Sequence, residues 1–129
     1  MQTFLPYADF RKSLESLDYR RLGKQRVEAL QIVNALEGRS KGWVSHPATR
    51  MWAPYIDALK HYHNIAIDVW IEKGYRNTMK HFIVPQKYFQ PHFLGNLEFH
   101  LSHQSNLFHK SPTDYPQFEM EFIPYVWPI

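Results

Sequence analysis

The 129-residue sequence has no cysteine. Disulfides, thiolate zinc sites, iron–sulfur clusters and cysteine nucleophiles are thereby excluded, and any chemistry must come from amines, carboxylates, imidazoles or hydroxyls. Also missing is an apolar run approaching the roughly 20 residues of a membrane span, and the opening MQTFLPYADF lacks the basic and apolar regions of a secretion signal. A soluble, non-secreted protein with no membrane partner is expected. That suits the cytoplasm, or a nucleoid association in a bacterium. Net charge is small: 15 Lys+Arg against 12 Asp+Glu leave +3, too little for a histone-like or disordered basic tail. There is no internal repeat, low-complexity tract or linker, so residues 1–129 read as a single domain.

What is present is 44% hydrophobic residues and an uneven charge. Residues 1–50 hold nine Lys/Arg and five Asp/Glu, a net +4, and residues 51–129 hold six and seven, a net −1. The whole positive excess lies in the first part of the chain.

The apolar spacing predicts an all-α fold with a central helix. Asp9 is placed to cap a short helix over Phe10–Ser16, and Asp18 a longer one over Tyr19–Glu37, with Gly38 where a left-handed residue is wanted. Leu22, Ala29, Leu30, Val33 and Leu36 share one face of the long helix, while Ile32 and Ala35 add apolar surface elsewhere. Its second half is apolar nearly all round, which predicts a helix through the middle of the fold. Ser45-His46-Pro47 starts a short helix over Pro47–Trp52. A long helix follows from about Pro54 to Lys73, with a core-facing stripe of Tyr55, Leu59, Tyr62, Ala66, Val69 and Trp70. Residues 75–95 lack a period and read as a long packed loop. Asn96 caps a last helix over Leu97–His109, and an aromatic tail, Phe118 to Trp127, packs back on the domain. No segment alternates as a strand.

Arg20, Arg21, Lys24 and Arg26 occupy the first turns of the central helix, where unpaired backbone amides also attract phosphate. The alternative is a solvated face with ordinary ion pairs such as Lys24 with Glu28. Arg26 is expected at the centre of the face defined by Leu22, Leu30 and Val33, where a guanidinium requires a phosphate or carboxylate partner. Glu28 lies where the helix stops being polar. A partly desolvated carboxyl there suits proton transfer, and a half-exposed partner of Lys24 or Arg21 fits the spacing equally well.

Gln2 is too large for ordinary removal of the initiator Met, so the chain is expected to keep Met1. If this end is packed rather than frayed, its α-amine is a nucleophile that loses its proton nearer neutrality than a lysine does, and it can form a Schiff base with a sugar aldehyde. Packing of Phe4 and Leu5 would order the segment just as well. Among eight histidines, His61 and His63 diverge, whereas His100 and His103 are placed to share a ligand. With no metal-binding pattern, no metal site is expected. His46 and His103 are assigned to polar contacts in or near a cleft. The four tryptophans read mainly as core, although one lining a cleft could stack on an extruded base.

Taken together, these residues resemble the pyrimidine-dimer DNA glycosylases of the phage endonuclease V type. Leu17-Asp18-x3-Leu22-x3-Arg26-x-Glu28-x-Leu30 is similar to the family's central helix with its arginine and catalytic glutamate. His46-Pro47-Ala48-Thr49 and the following helix ending in Lys73-Gly74-Tyr75 resemble its second long helix. His103-x-x-Asn106 and Lys110-Ser111-Pro112-Thr113-x-Tyr115 resemble its DNA-contacting C-terminal segment. The resemblance implies a glycosylase with abasic-site lyase activity on double-stranded DNA carrying a lesion, with no cofactor and no obligate protein partner. It casts the Met1 amine as the nucleophile at C1′ and Glu28 as the group that stabilises sugar cation and Schiff base. Arg20, Arg21, Arg26 and Lys110 would grip phosphates around a kinked duplex. The sequence departs from the pattern in three places. Met1 stands where the best-known members expose a threonine, Val27 replaces the arginine before the glutamate, and His103 takes the place of a cationic side chain. A different modified base as target, and a non-catalytic helical DNA-binding module, are the alternative readings.

Overall fold

A computed structural model describes residues Met1–Ile129. The chain forms five α-helices and no strand: α1 (Phe10–Glu15), α2 (Tyr19–Leu36), α3 (Pro47–Trp52), α4 (Ile56–Glu72) and α5 (Leu97–Lys110), with 3-10 turns at Ala53–Tyr55 and Pro116–Phe118. The all-α expectation holds. Helix starts are capped by the expected side chains: Asp9 accepts from Lys12 N–H at 2.7 Å, His46 Nδ1 from Ala48 N–H at 3.0 Å, and Asn96 from Phe99 N–H at 3.0 Å. At the other ends, Gly38 (φ +77°) and Gly74 (φ +90°) take the left-handed conformation. Each lets the next N–H reach back to an otherwise orphaned carbonyl, Arg39 to Asn34 and Tyr75 to Trp70.

The fourth helix begins later than expected. Pro54 falls within a 3-10 turn, and Tyr55 (φ −131°, ψ 43°) breaks the path, so regular α-structure starts at Ile56. The long loop then runs back along α4 and is fastened to it by side chains. Asn64 both accepts from Phe82 N–H and donates to Phe82 C=O, each at 2.8 Å. His81 Nε2 meets Asp68 at 2.7 Å, Trp70 Nε1–H donates to Arg76 C=O at 2.8 Å, and His61 bonds the Tyr88 hydroxyl.

α2 packs most extensively against α4. One core joins Leu22, Ala29, Ile32 and Val33 of α2 with Leu59, Tyr62, Ala66 and Val69 of α4 and with Leu5, Trp52, Phe93 and Phe99. Trp52 is wholly buried, but Trp43 is 48% exposed and Trp70 and Trp127 are half-buried, so only one of the four tryptophans is entirely core. Leu30 is not in the buried stripe of α2; Gln25 is, at 1% exposure. The stripe is thus centred on Gln25 and Ala29 rather than on Arg26. Arg26 and Glu28 flank it on opposite edges, roughly 160° apart around the helix.

The extended segment ahead of α1 threads through this core. Gln2, Thr3, Phe4, Leu5 and Pro6 are all buried, in no sheet, so their peptide groups must find side chains. Gln25 Oε1 accepts from Phe4 N–H (2.9 Å), and its Nε2 donates to Gln2 C=O (3.0 Å). The Tyr62 hydroxyl donates to Phe4 C=O (2.9 Å). His103 Nδ1 accepts from Leu5 N–H, and His100 Nδ1–H donates to Leu5 C=O, both at 2.8 Å. Gln104 donates to Pro6 C=O (2.8 Å), and Trp52 Nε1–H to the Thr3 hydroxyl (2.8 Å). Four helices therefore set the register of this segment residue by residue.

Candidate active site

The threaded segment ends beside the middle of α2. There the Gln2 backbone N–H donates to Glu28 Oε2 at 3.2 Å. Met1, Gln2, Phe4, Arg21, Lys24, Gln25, Glu28, Lys110 and Tyr125 line a cleft of about 270 Å³. Glu28 has neither of the ion-pair partners its spacing allowed. Arg21 is paired instead with Asp18 (Nη1 to Oδ1, 3.0 Å), and Lys24 points outward, exposed, at the cleft edge. An unneutralised carboxylate next to the start of the chain, ringed by three cations, can support positive charge on a bound sugar while the cations hold phosphate.

Lys110 reaches the cleft from the end of α5. Its ammonium lies 5.4 Å from the Phe4 ring centroid and 5.6 Å from that of Tyr125, and donates to the Tyr125 hydroxyl at 3.2 Å. Burial, with Arg21 and Lys24 nearby, lowers its pKa against the opposing pull of Glu28. Burial likewise pushes the Tyr125 phenol up to about 12, so Tyr125 is neutral and able to donate. His46 stands between Trp43 and Trp127, edge-on to both. Its pKa falls through desolvation and through the positive charge at the start of the chain, opposed by Glu28. With Nδ1 occupied by the α3 cap, its free nitrogen is Nε2.

Two of the residues assigned to DNA contact have other work. His103 is 0% exposed, with Phe4 and Tyr125 edge-on to it and Phe99 packed at a tilt. Burial drives its pKa down to about 3, with His100 and Lys110 adding to the effect. A neutral imidazole inside the core cannot meet a phosphate, and its role is to hold Leu5. His100 and His103 do not form a site for a bound ligand or phosphate; they act together on the Leu5 peptide of the chain itself. Arg26 is not among the cleft residues. Its guanidinium lies 4.2 Å from the Trp70 ring centroid and donates to Asn77 Oδ1 at 2.8 Å. In place of the phosphate or carboxylate expected on an apolar face, it has a carboxamide and an indole, because it sits at the edge of that face. Arg20, fully exposed at the mouth of α2, is held only by Tyr19.

Gln25 and Tyr125 were not singled out from the sequence. Gln25 left a trace there, as an amide placed in what proves to be the centre of the buried stripe. Tyr125 left none, because its position depends on how the tail returns. Ser105 Oγ accepts from Ile123 N–H (2.7 Å), Asn106 donates to Ile123 C=O (2.9 Å), and Ser102 Oγ accepts from Val126 N–H (3.2 Å). These contacts lay the tail along α5.

The fold is all-α, and its open cleft sets three cations around a lone carboxylate. The chain belongs to the pyrimidine dimer DNA glycosylase family, whose model matches residues 1–83. The match takes in the threaded segment, α1 to α4 and Glu28, and stops before α5, Lys110 and Tyr125. No curated protein and no solved structure matches the chain closely enough to rank as a relative. No helix is long and apolar enough to cross a membrane.

Proposed function

We propose that the protein excises a damaged pyrimidine from duplex DNA and then cleaves the strand, using the Met1 α-amine as nucleophile and Glu28 as its acid/base partner. The observation that carries this reading is the buried register of residues 2–6, which brings Met1 and Glu28 to one open cleft. In the first step the neutral amine attacks C1′ of the damaged nucleotide, the glycosidic bond breaks, and the base leaves with its electron pair. Glu28 supports the positive charge that develops on the sugar ring. Ring opening gives an imine between the Met1 nitrogen and C1′. Removal of a C2′ proton by Glu28 then expels the 3′-phosphate by β-elimination, and water releases the sugar fragment from the amine. The residues of this chain supply the whole sequence, with no metal or organic cofactor.

Arg20, Arg21, Lys24 and Lys110 are the proposed phosphate contacts. They lie in or beside the cleft; Arg20, Lys24 and Lys110 can exchange water or weak neighbours for anionic oxygens, and Arg21, paired with Asp18, offers its remaining N–H donors. His46, with its proton on Nε2, serves as a neutral donor near the amine. The family supports a pyrimidine dimer as the lesion, and the proposed partner is duplex DNA, with no obligate protein partner.

Borohydride reduction tests the proposal. Incubation with duplex DNA carrying a cyclobutane dimer or an abasic site, followed by reduction, should give a covalent adduct whose protein end maps to Met1. Glu28→Gln should lower the rate of product formation by at least about 100-fold. Absence of an adduct on both substrates, or full activity in Glu28→Gln, refutes the reading. Salt-sensitive duplex binding with no adduct, indifferent to acetylation of the amine, identifies a DNA-binding module instead.

A further inference from the structure

Arg21 is the one cleft cation paired with a carboxylate, and that carboxylate is anchored by a residue far away in the chain. Tyr115, in the segment after α5, is 0% exposed, and its ring is stacked on Phe118 at an interplanar angle of 9°. Its hydroxyl accepts from the Asp18 backbone N–H at 3.0 Å and donates to Asp18 Oδ1. The same Oδ1 accepts from Arg21 Nη1 at 3.0 Å, while the guanidinium carbon lies 5.6 Å from the Tyr115 ring centroid. Ring and hydroxyl of one tyrosine thus define two sides of the space Arg21 occupies.

From this arrangement we infer that Tyr115, acting through Asp18, is a positioning residue that holds Arg21 in the pose in which the cleft takes up a phosphate. An unrestrained arginine on a helix edge samples many rotamers and loses that freedom on binding an anion. Here one Nη1 hydrogen bond and the aromatic face have already restricted it, and the remaining N–H donors of the fork stay available. Burial alone would raise the pKa of Asp18, but hydrogen bonds from Tyr115 and Arg21 outweigh it and hold the carboxyl ionised. The restraint therefore persists over the whole neutral range. Removing the phenol hydroxyl would leave the carboxylate held only by Arg21 itself, through Nη1 at 3.0 Å and the long cap contact from its N–H at 3.5 Å, so that carboxylate and guanidinium loosen together. The family match ends at residue 83, so this device joins the matched part of the cleft to a segment outside the match.

The inference rests on the proposed reading of the cleft as a DNA-phosphate site, and its test separates the two. Affinity is measured by fluorescence anisotropy with duplex DNA carrying a tetrahydrofuran abasic analogue, which the enzyme cannot cleave. Tyr115→Phe is expected to weaken binding about 3- to 10-fold, and Arg21→Ala by about 10-fold or more. The double variant should bind no more weakly than Arg21→Ala alone, because without Arg21 there is nothing left to position. Phe118→Leu, which loosens the same segment but leaves the hydroxyl, should retain wild-type affinity. The inference is overturned if Tyr115→Phe binds like wild type, if its effect is undiminished in the Arg21→Ala background, or if Phe118→Leu loses as much affinity as Tyr115→Phe. If the wild-type protein does not bind the duplex, the reading of the cleft fails and this inference fails with it. If wild type binds tightly but the cycle is additive, only the inference fails.

Discussion

Gln25→Ala tests the threading of the first residues most directly. The side chain is 1% exposed, accepts from Phe4 N–H at 2.9 Å and donates to Gln2 C=O at 3.0 Å, and its Oε1 lies 2.7 Å from the Tyr62 hydroxyl, whose single proton it shares with Phe4 C=O. Truncation leaves the Phe4 N–H and the Gln2 C=O without their protein partners in the buried wall of the cleft. Each orphaned buried group costs about 1–3 kcal/mol. Tyr62 keeps its bond to Phe4 C=O, so its hydroxyl adds little. The expected loss is about 3–5 kcal/mol, against a total stability for a chain of this size of roughly 6–19 kcal/mol. The variant should therefore fold, but with the segment displaced. Urea unfolding followed by tryptophan fluorescence measures the loss, since Trp52 bonds Thr3 directly. Borohydride trapping on abasic duplex, corrected for the folded fraction, reads the position of Met1 and should fall by at least about 10-fold, because a misplacement of about 1 Å suffices for larger losses. A loss of stability below about 0.5 kcal/mol, or undiminished trapping per folded molecule, would show that Gln25 does not set the register and refute the reasoning.

Three further outcomes follow from the same contacts. His103 has a folded pKa of about 3 against an ordinary 6.5, so the unfolded chain binds the extra proton between those values and stability should fall as pH drops through that window. The loss is on the order of a few kcal/mol; urea melts at pH 7 and pH 4.5 should show a smaller difference in His103→Gln than in wild type, and an equal difference would contradict the burial. Arg21→Ala, Lys24→Ala and Lys110→Ala should each flatten the slope of log affinity against log salt by about 1, whereas Arg26→Ala should leave the slope unchanged and lower stability by about 1–2 kcal/mol through its lost contacts with Trp70 and Asn77. Gly23→Ala would place a Cβ 3.1 Å from the Trp70 ring, which cannot retreat between Arg26, Tyr75 and its bond to Arg76. A lowered Tm is expected despite the helix-propensity gain of about 1 kcal/mol, and a raised Tm would mean that the ring yields.

Much of the architecture was legible in the sequence because its signals are local. A capping Asp or Asn, a left-handed Gly and an apolar spacing of three and four act within one or two helical turns, and all five helices lie where those signals put them, to within a residue or two. Glu28 and the cations of the first turns stood out for the same reason, since their neighbours on the helix are fixed by its period. Arg26 shows where that reasoning stops. A helix apolar nearly all round does not declare where its inward face is centred, and choosing Leu30 over Gln25 as core shifted the expected centre onto Arg26, which lies at the edge.

The sequence by itself determined the fold class, the helix ends and the lone carboxylate near a cationic helix start, all from contacts a few residues apart. Only the tertiary structure decided which cations share the cleft with that carboxylate, that His103 is a clamp on Leu5, and that Tyr115 and Tyr125 return to the site. Those outcomes rest on hydrogen bonds between residues about a hundred positions apart, such as Leu5 with His103 and Asp18 with Tyr115. Such pairings follow from how helices pack and leave no periodicity in the chain.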